Sequence, residues 1–174
     1  WWQYWRPRAD LYHAIGRGHI FKNHPKNWDP EIRPLDQVLV IARTSKTGAF
    51  VFVPNKYVMS DATVVFARHD YSFFAILQSS IHISYAWQHS SKLKSDLRYS
   101  HSDCFETFPL PEHVRNLEDL ERIGSEFHAS RDAYLKARRI GLTGFYQMFH
   151  DPETKDHELD SVRNLQVSLD KEVL

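Results

Sequence analysis

Val38-Leu39-Val40-Ile41-Ala42, Ala49-Phe50-Val51-Phe52-Val53 and Thr63-Val64-Val65-Phe66-Ala67 are three short runs rich in β-branched and aromatic residues, separated by turn formers. Such side chains pack well on a pleated surface, so the runs read as strands of a small sheet. Ser45-Lys46-Thr47-Gly48 lies between the first two and predicts a hairpin connection, with Gly48 able to take a positive φ.

After the strands the period changes. Asp70 is placed to cap a helix, and Phe73, Phe74, Leu77, Ile81, Tyr85 and Trp87 supply a broad apolar face to about Gln88. The pattern predicts one long buried helix, with Phe73, Phe74, Leu77 and Trp87 as core and His82 as a hydrogen-bonded helix residue. Before the strands, residues 1–16 hold Trp1, Trp5, Tyr12 and Ile15 near helical spacing around Pro7, which predicts one short or broken helix. Gly16, Gly18, Pro25, Pro30 and Pro34 punctuate a loop up to Leu35. At the other end, residues 117–139 and 156–174 are amphipathic, joined by Gly141-Leu142-Thr143-Gly144 and Phe145-Tyr146-Gln147-Met148-Phe149, with Asp151-Pro152 as a second stop. The fold class expected is α+β: a small sheet domain with a buried long helix, followed by a C-terminal helical tail as a separate layer.

The chain has 174 residues, 42% of them hydrophobic, enough for one substantial core. Its apolar runs fall far short of the roughly 18 residues needed to cross a bilayer, and no signal-peptide pattern opens it. With a single cysteine, Cys104, a cytoplasmic location is expected, and Cys104 reads as a core residue. The opening on Trp1-Trp2-Gln3-Tyr4-Trp5 without Met, and the stop at Leu174 within a helical pattern, read as an excised piece of a longer protein. The formal charge is zero, but residues 1–111 carry 13 Lys/Arg against 9 Asp/Glu and residues 112–174 carry 9 against 13. The first part therefore suits nucleic acid, at modest affinity, because non-specific binding grows with the phosphates neutralised. Phosphate loops, zinc-protease helices, Cys-x-x-Cys pairs and nucleophile elbows are absent, so no catalytic residue and no metal site are expected. His82, His89, His101, His113 and His128 are scattered without ligand spacing.

One polar segment stands out. In Lys92-Leu93-Lys94-Ser95-Asp96-Leu97-Arg98-Tyr99-Ser100, the ionic residues Lys94, Asp96 and Arg98 alternate with Leu93, Leu97 and Tyr99. In an extended backbone alternate side chains share a face, so the three ionic groups are expected to project from one edge. Lys donates to guanine O6/N7, Asp accepts from cytosine N4 and Arg grips guanine or phosphate. The alternative is a solvated strand edge with an ion pair of little energetic value.

Read together, several stretches resemble one family. Trp1-Trp2-Gln3-Tyr4-Trp5-Arg6-Pro7-Arg8 resembles the tryptophan-arginine lead into the recognition region of MmeI-like (type IIL) adenine-specific DNA methyltransferases. The helical stretch from Phe74 to Trp87, then Arg98-Tyr99-Ser100 and Phe105-Glu106-Thr107-Phe108-Pro109-Leu110-Pro111, resemble that region's later segments. Gly141-Leu142-Thr143, Tyr146, Phe149-His150-Asp151-Pro152 and Leu169-Asp170 are similar to the family's terminal helices.

The resemblance implies a helical entry at 1–19, a DNA target-recognition domain at 20–111 and a helical segment at 112–174. It implies base reading by Lys94, Ser95, Asp96 and Arg98, with Asp61 and Ala62 as a second group. Candidate phosphate contacts are Arg43, Lys46, Lys92, Arg6 and Arg8, which would set register without reading sequence. The partners implied are double-stranded DNA and an upstream methyltransferase domain of the same chain, with no membrane. In that parent, S-adenosylmethionine is the implied cofactor, with Mg where a nuclease exists, and neither belongs to this fragment. Two rivals stand beside this reading: a protein-protein docking module built on the Trp/Phe-rich faces, and a small enzyme using Cys104 with a histidine.

Overall fold

A computed structural model describes residues 5–20, 29, 31–93, 95–110 and 117–174; the side chains of residues 5–7, 92 and 93 lie outside that description. Trp1, Trp2 and Lys94 are therefore outside the described residues. The expected α+β architecture is observed: two small antiparallel sheets, helices packed on them, and a helical C-terminal layer.

The first sheet is formed by β1 (Gln37–Ala42), β3 (Phe50–Pro54) and β4 (Thr63–Phe66), with β1 in the centre. The three apolar runs of the sequence are these three strands. Period-two alternation gives β1 two buried faces: Leu39 and Ile41 enter the main core, whereas Val38 and Val40 meet Tyr12 and Ile15. Tyr12 belongs to α1 (Trp5–Ala14), the helix that covers the back of the sheet. Asn55 at the end of β3 ties that corner, donating from Nδ2 to the carbonyls of Ile15 and Leu35, both at 2.8 Å. Gly16 takes a φ of +74°, and a Cβ there would sit 2.5 Å from the Pro34 backbone. The turn after α1 thus needs glycine for its conformation and for its clearance.

The hairpin expected at Ser45–Gly48 takes a different form. β1 and β3 are antiparallel and Gly48 has a φ of +60°, but Ile41 pairs with Phe50, so the connection spans residues 42–49. It is not a tight turn, because β2 (Thr44–Ser45) leaves the first sheet to join a second one.

The single long helix expected from Asp70 to Gln88 is two helices, α2 (Tyr71–Gln78) and α3 (Ser80–His89). Asp70 caps α2 as the sequence suggests, accepting from the Phe73 N–H. The break is at Ser79, whose backbone adopts φ −59° and ψ 148°. Its hydroxyl donates to the Ile76 carbonyl at 2.7 Å and accepts from the His82 N–H at 3.2 Å. One side chain thus closes the first helix and opens the second, the local competition that makes serine a poor interior helix residue.

The tail comprises α4 (Leu117–Arg138), α5 (Leu142–His150) and α6 (His157–Val173). The Phe145–Phe149 segment, read as a joint, is itself most of α5. Phe127 of α4, Phe145 of α5 and Leu159 and Leu169 of α6 join Leu39, Phe50 and Phe74 in one apolar core. Each such side chain contributes about 1.5–3 kcal/mol on burial, so the helical layer closes the fold.

Candidate functional site

The polar segment around Lys94 is a hairpin and not one continuous strand. β5 (Ser91–Leu93) and β6 (Asp96–Arg98) pair antiparallel with Leu93 opposite Asp96, and the turn falls between them. The expectation that Lys94, Asp96 and Arg98 line one continuous strand is therefore corrected: Asp96 and Arg98 share β6, which begins after a break from β5, and Lys94 lies outside the described residues. Ser95 follows in that turn and is exposed.

β6 is the centre of the second sheet, between β2 and β5. Leu97 is fully buried, and the next residue, Tyr99, is 1% exposed. Alternation then turns Asp96, half-buried, and Arg98, exposed, to the opposite face. Thr44 and Ser91 lie directly opposite Arg98 on its two neighbours, and both are exposed. Sequence reading missed these two hydroxyls because β2 and β5 are too short to show a period.

The two groups implied to read bases meet on one piece of backbone. Ala42 pairs with Thr63, and the Arg43 N–H donates to the Ala62 carbonyl at 2.8 Å. The next residue, Thr44, pairs with Arg98. Residues 43 and 44 thus form a bridge with Asp61-Ala62 on one side and Asp96-Arg98 on the other. Asp61 and Ala62 are exposed on the turn that Ser60 closes through its carbonyl and hydroxyl. Arg43 and Lys46 are exposed beside the same strands. Among the described residues, no ion pair engages Arg43, Lys46, Asp61, Asp96 or Arg98.

Other site candidates stand elsewhere. Arg8 is half-buried on α1, which covers the back of the first sheet, and it has an interaction of its own. Arg6 is in α1 and Lys92 in β5, with side chains outside the described residues.

Behind the exposed row sits a buried aromatic support. His82 on α3 is fully buried, and its Nε2 lies 2.9 Å from the Tyr99 hydroxyl. This agrees with the expectation of a hydrogen-bonded helix residue. Phe108 packs edge-on to His82 with centroids 4.5 Å apart, and Phe50 packs edge-on to Tyr99 at 5.6 Å. Burial pushes the His82 imidazole down to about 4 and the Tyr99 phenol up, so both are neutral near pH 7. Cys104 is buried against the Ser90 hydroxyl, consistent with a core residue. Among the described residues, no group of three His, Cys, Asp or Glu side chains is placed to hold a metal, and no helix is long and apolar enough to cross a membrane.

The family model of the MmeI target recognition domain matches residues 24–112. A solved structure described as the type IIL restriction-modification enzyme MmeI in complex with DNA is similar to this chain, with a TM-score of 0.55 and 27% identity. The similarity covers 80% of this chain and 18% of that one, so the chain spans less than a fifth of that enzyme's length. No curated protein sequence matches.

Proposed function

Because the chain belongs to the MmeI target recognition domain family, we propose that it recognises a short DNA sequence on behalf of a type IIL restriction-modification enzyme. The readers are Lys94, Ser95, Asp96 and Arg98 at the hairpin and Asp61 and Ala62 at the neighbouring turn. The observation that supports this is the bridge at residues 43 and 44, which holds both groups within one short stretch of paired backbone. An Asp accepts from cytosine N4 and a Lys donates to guanine O6/N7, so Asp96 with Lys94 reads both members of one G·C pair. A good bidentate contact of this kind discriminates by ~1–3 kcal/mol. Arg43, Lys46, Lys92, Arg6 and Arg8 contact phosphates and set the register.

The domain at 20–111 recognises, with 1–19 as entry and 112–174 as helical support. In this reading the parent is a site-specific DNA adenine-N6 methyltransferase. Its catalytic domain lies upstream and flips out the adenine, because the target atom is unreachable inside a stacked duplex. S-adenosylmethionine, and Mg where a nuclease is present, are assigned to that domain, and no residue of this chain is assigned to either. A second role, docking of this chain on that domain, is favoured by one surface: Tyr57 and Val58 are 53% and 71% exposed.

The test is a bind-and-sequence selection from random duplexes at low salt, comparing the wild-type chain with the double variant Lys94→Glu, Asp96→Arg. The expected result is a short enriched motif in which one G·C position becomes C·G in the variant. An identical motif from both proteins would remove Lys94 and Asp96 from the reading set.

A further inference from the structure

A polar chain, buried at Gln78, Arg131 and Gln166 and exposed at Ser80, links the tail helices to α2 and to the first residue of α3. Gln78, 3% exposed at the end of α2, accepts at its Oε1 from the Phe50 N–H at 2.9 Å and from Arg131 Nη1 at 3.2 Å. Arg131 of α4 is 1% exposed, and it also donates to the Phe50 carbonyl at 2.6 Å and to the Tyr146 hydroxyl at 2.9 Å. On the other side, the Gln78 carbonyl accepts from Gln166 Nε2 of α6 at 3.3 Å. Gln166 Nε2 also donates to Asp170 Oδ1 at 3.0 Å, and that same oxygen accepts from the Ser80 N–H at 2.8 Å.

Ser80 is the first residue of α3, immediately after the break at Ser79. The first N–H groups of a helix have no intrahelical partner, and a carboxylate beside them is favoured by the helix dipole. Asp170 therefore supplies, from a distant element, a second cap to a helix that Ser79 already caps. α3 in turn carries His82, which holds Tyr99, the residue after Arg98. Without Asp170 and Gln166 the hydrophobic core is intact and the Ser80 N–H is open to water, but the angle at Ser79 loses its outside hold.

We propose that Gln166 and Asp170 are positioning residues for DNA recognition: by clamping the α2–α3 break they fix α3, and through His82 and Tyr99 the strand that presents Asp96 and Arg98. The proposal rests on the reading of Asp96 and Arg98 as base contacts.

The experiment combines amide hydrogen exchange on the DNA-free 174-residue chain with the bind-and-sequence selection, for wild type, Asp170→Ala, Gln166→Leu and Asp170→Asn. In Asp170→Ala and Gln166→Leu, amides of α3 and β6 are expected to lose protection by about tenfold, the effect of removing one cap, while those of β1 are unchanged. The enriched motif should lose definition in the same two variants. Asp170→Asn should restore both readouts, since its amide oxygen accepts the same bonds. A uniform loss of protection that includes β1, or no loss in α3, would overturn the proposal, as would an unchanged motif in both variants. If the wild-type chain enriches no motif, the base-reading proposal falls, and the exchange pattern alone then decides whether the clamp holds α3 and β6.

Discussion

His82 shows how one residue ties stability to pH. Its imidazole is fully buried, and among the described residues its Nδ1 has no hydrogen-bond partner. Burial lowers its folded-state value to about 4 from an ordinary 6.5. Between those values the unfolded chain takes up a proton that the folded chain refuses. The contribution is thus complete above pH 6.5 and is lost as the pH falls toward 4, by about 3 kcal/mol in all. Urea titrations from pH 7 to 4 should show this decline in wild type and a shallower one in His82→Gln. The slope should shrink and not vanish, because burial also lowers His128 and His150. His82 was legible in the sequence as a bonded helix residue, since a histidine on an apolar face needs a partner. Arg131 was not: its partners Phe50, Gln78 and Tyr146 are far along the chain, and nothing local marks an arginine that is buried with no carboxylate partner among the described residues.

Among the elements, α2 and α4 approach closely enough that Gly124 is required. A Cβ there would collide with the Tyr71 carbonyl and meet Ala75 Cβ at 3.2 Å. A helical glycine ordinarily costs about 1 kcal/mol relative to alanine, so its presence in mid-helix serves this contact. Gly124→Ala should destabilise by about 1–3 kcal/mol, the range for overpacking, despite its better helix propensity, as read from the denaturant midpoint. A gain in stability would show that the two helices separate at little cost. The strands β1, β3 and β4 were readable because each carries its own β-branched run, and α2 because Asp70 announces its start. The break at Ser79 was hidden because the apolar face continues through it from Leu77 to Ile81. β2 was hidden by its length of two residues, and with it the bridge that brings Asp61-Ala62 next to Asp96-Arg98. The candidate residues were thus nameable one by one, but their adjacency was not, since it depends on a crossover between sheets.

At the scale of the whole molecule, what holds the fold and what faces outward are separated. Phe50, Leu97, Tyr99 and Phe127 belong to a single core that the tail helices complete, whereas Asp61, Ser95 and Arg98 stand outside it. Exposed substitutions away from caps and ion pairs generally change stability by less than about 0.5 kcal/mol. Arg98→Glu should accordingly leave the thermal midpoint within a degree or two of wild type, as scanning calorimetry would register, whatever it does to DNA selection. A large drop would mean that the row carries part of the structural burden. The β6 alternation also has a meaning over generations. With Leu97 and Tyr99 anchored inside, the neighbouring positions are free to drift, each new side chain presented at the same height by an unchanged floor. Under the base-reading proposal, a lineage built on such a strand can change its preference by single codon changes without risking collapse.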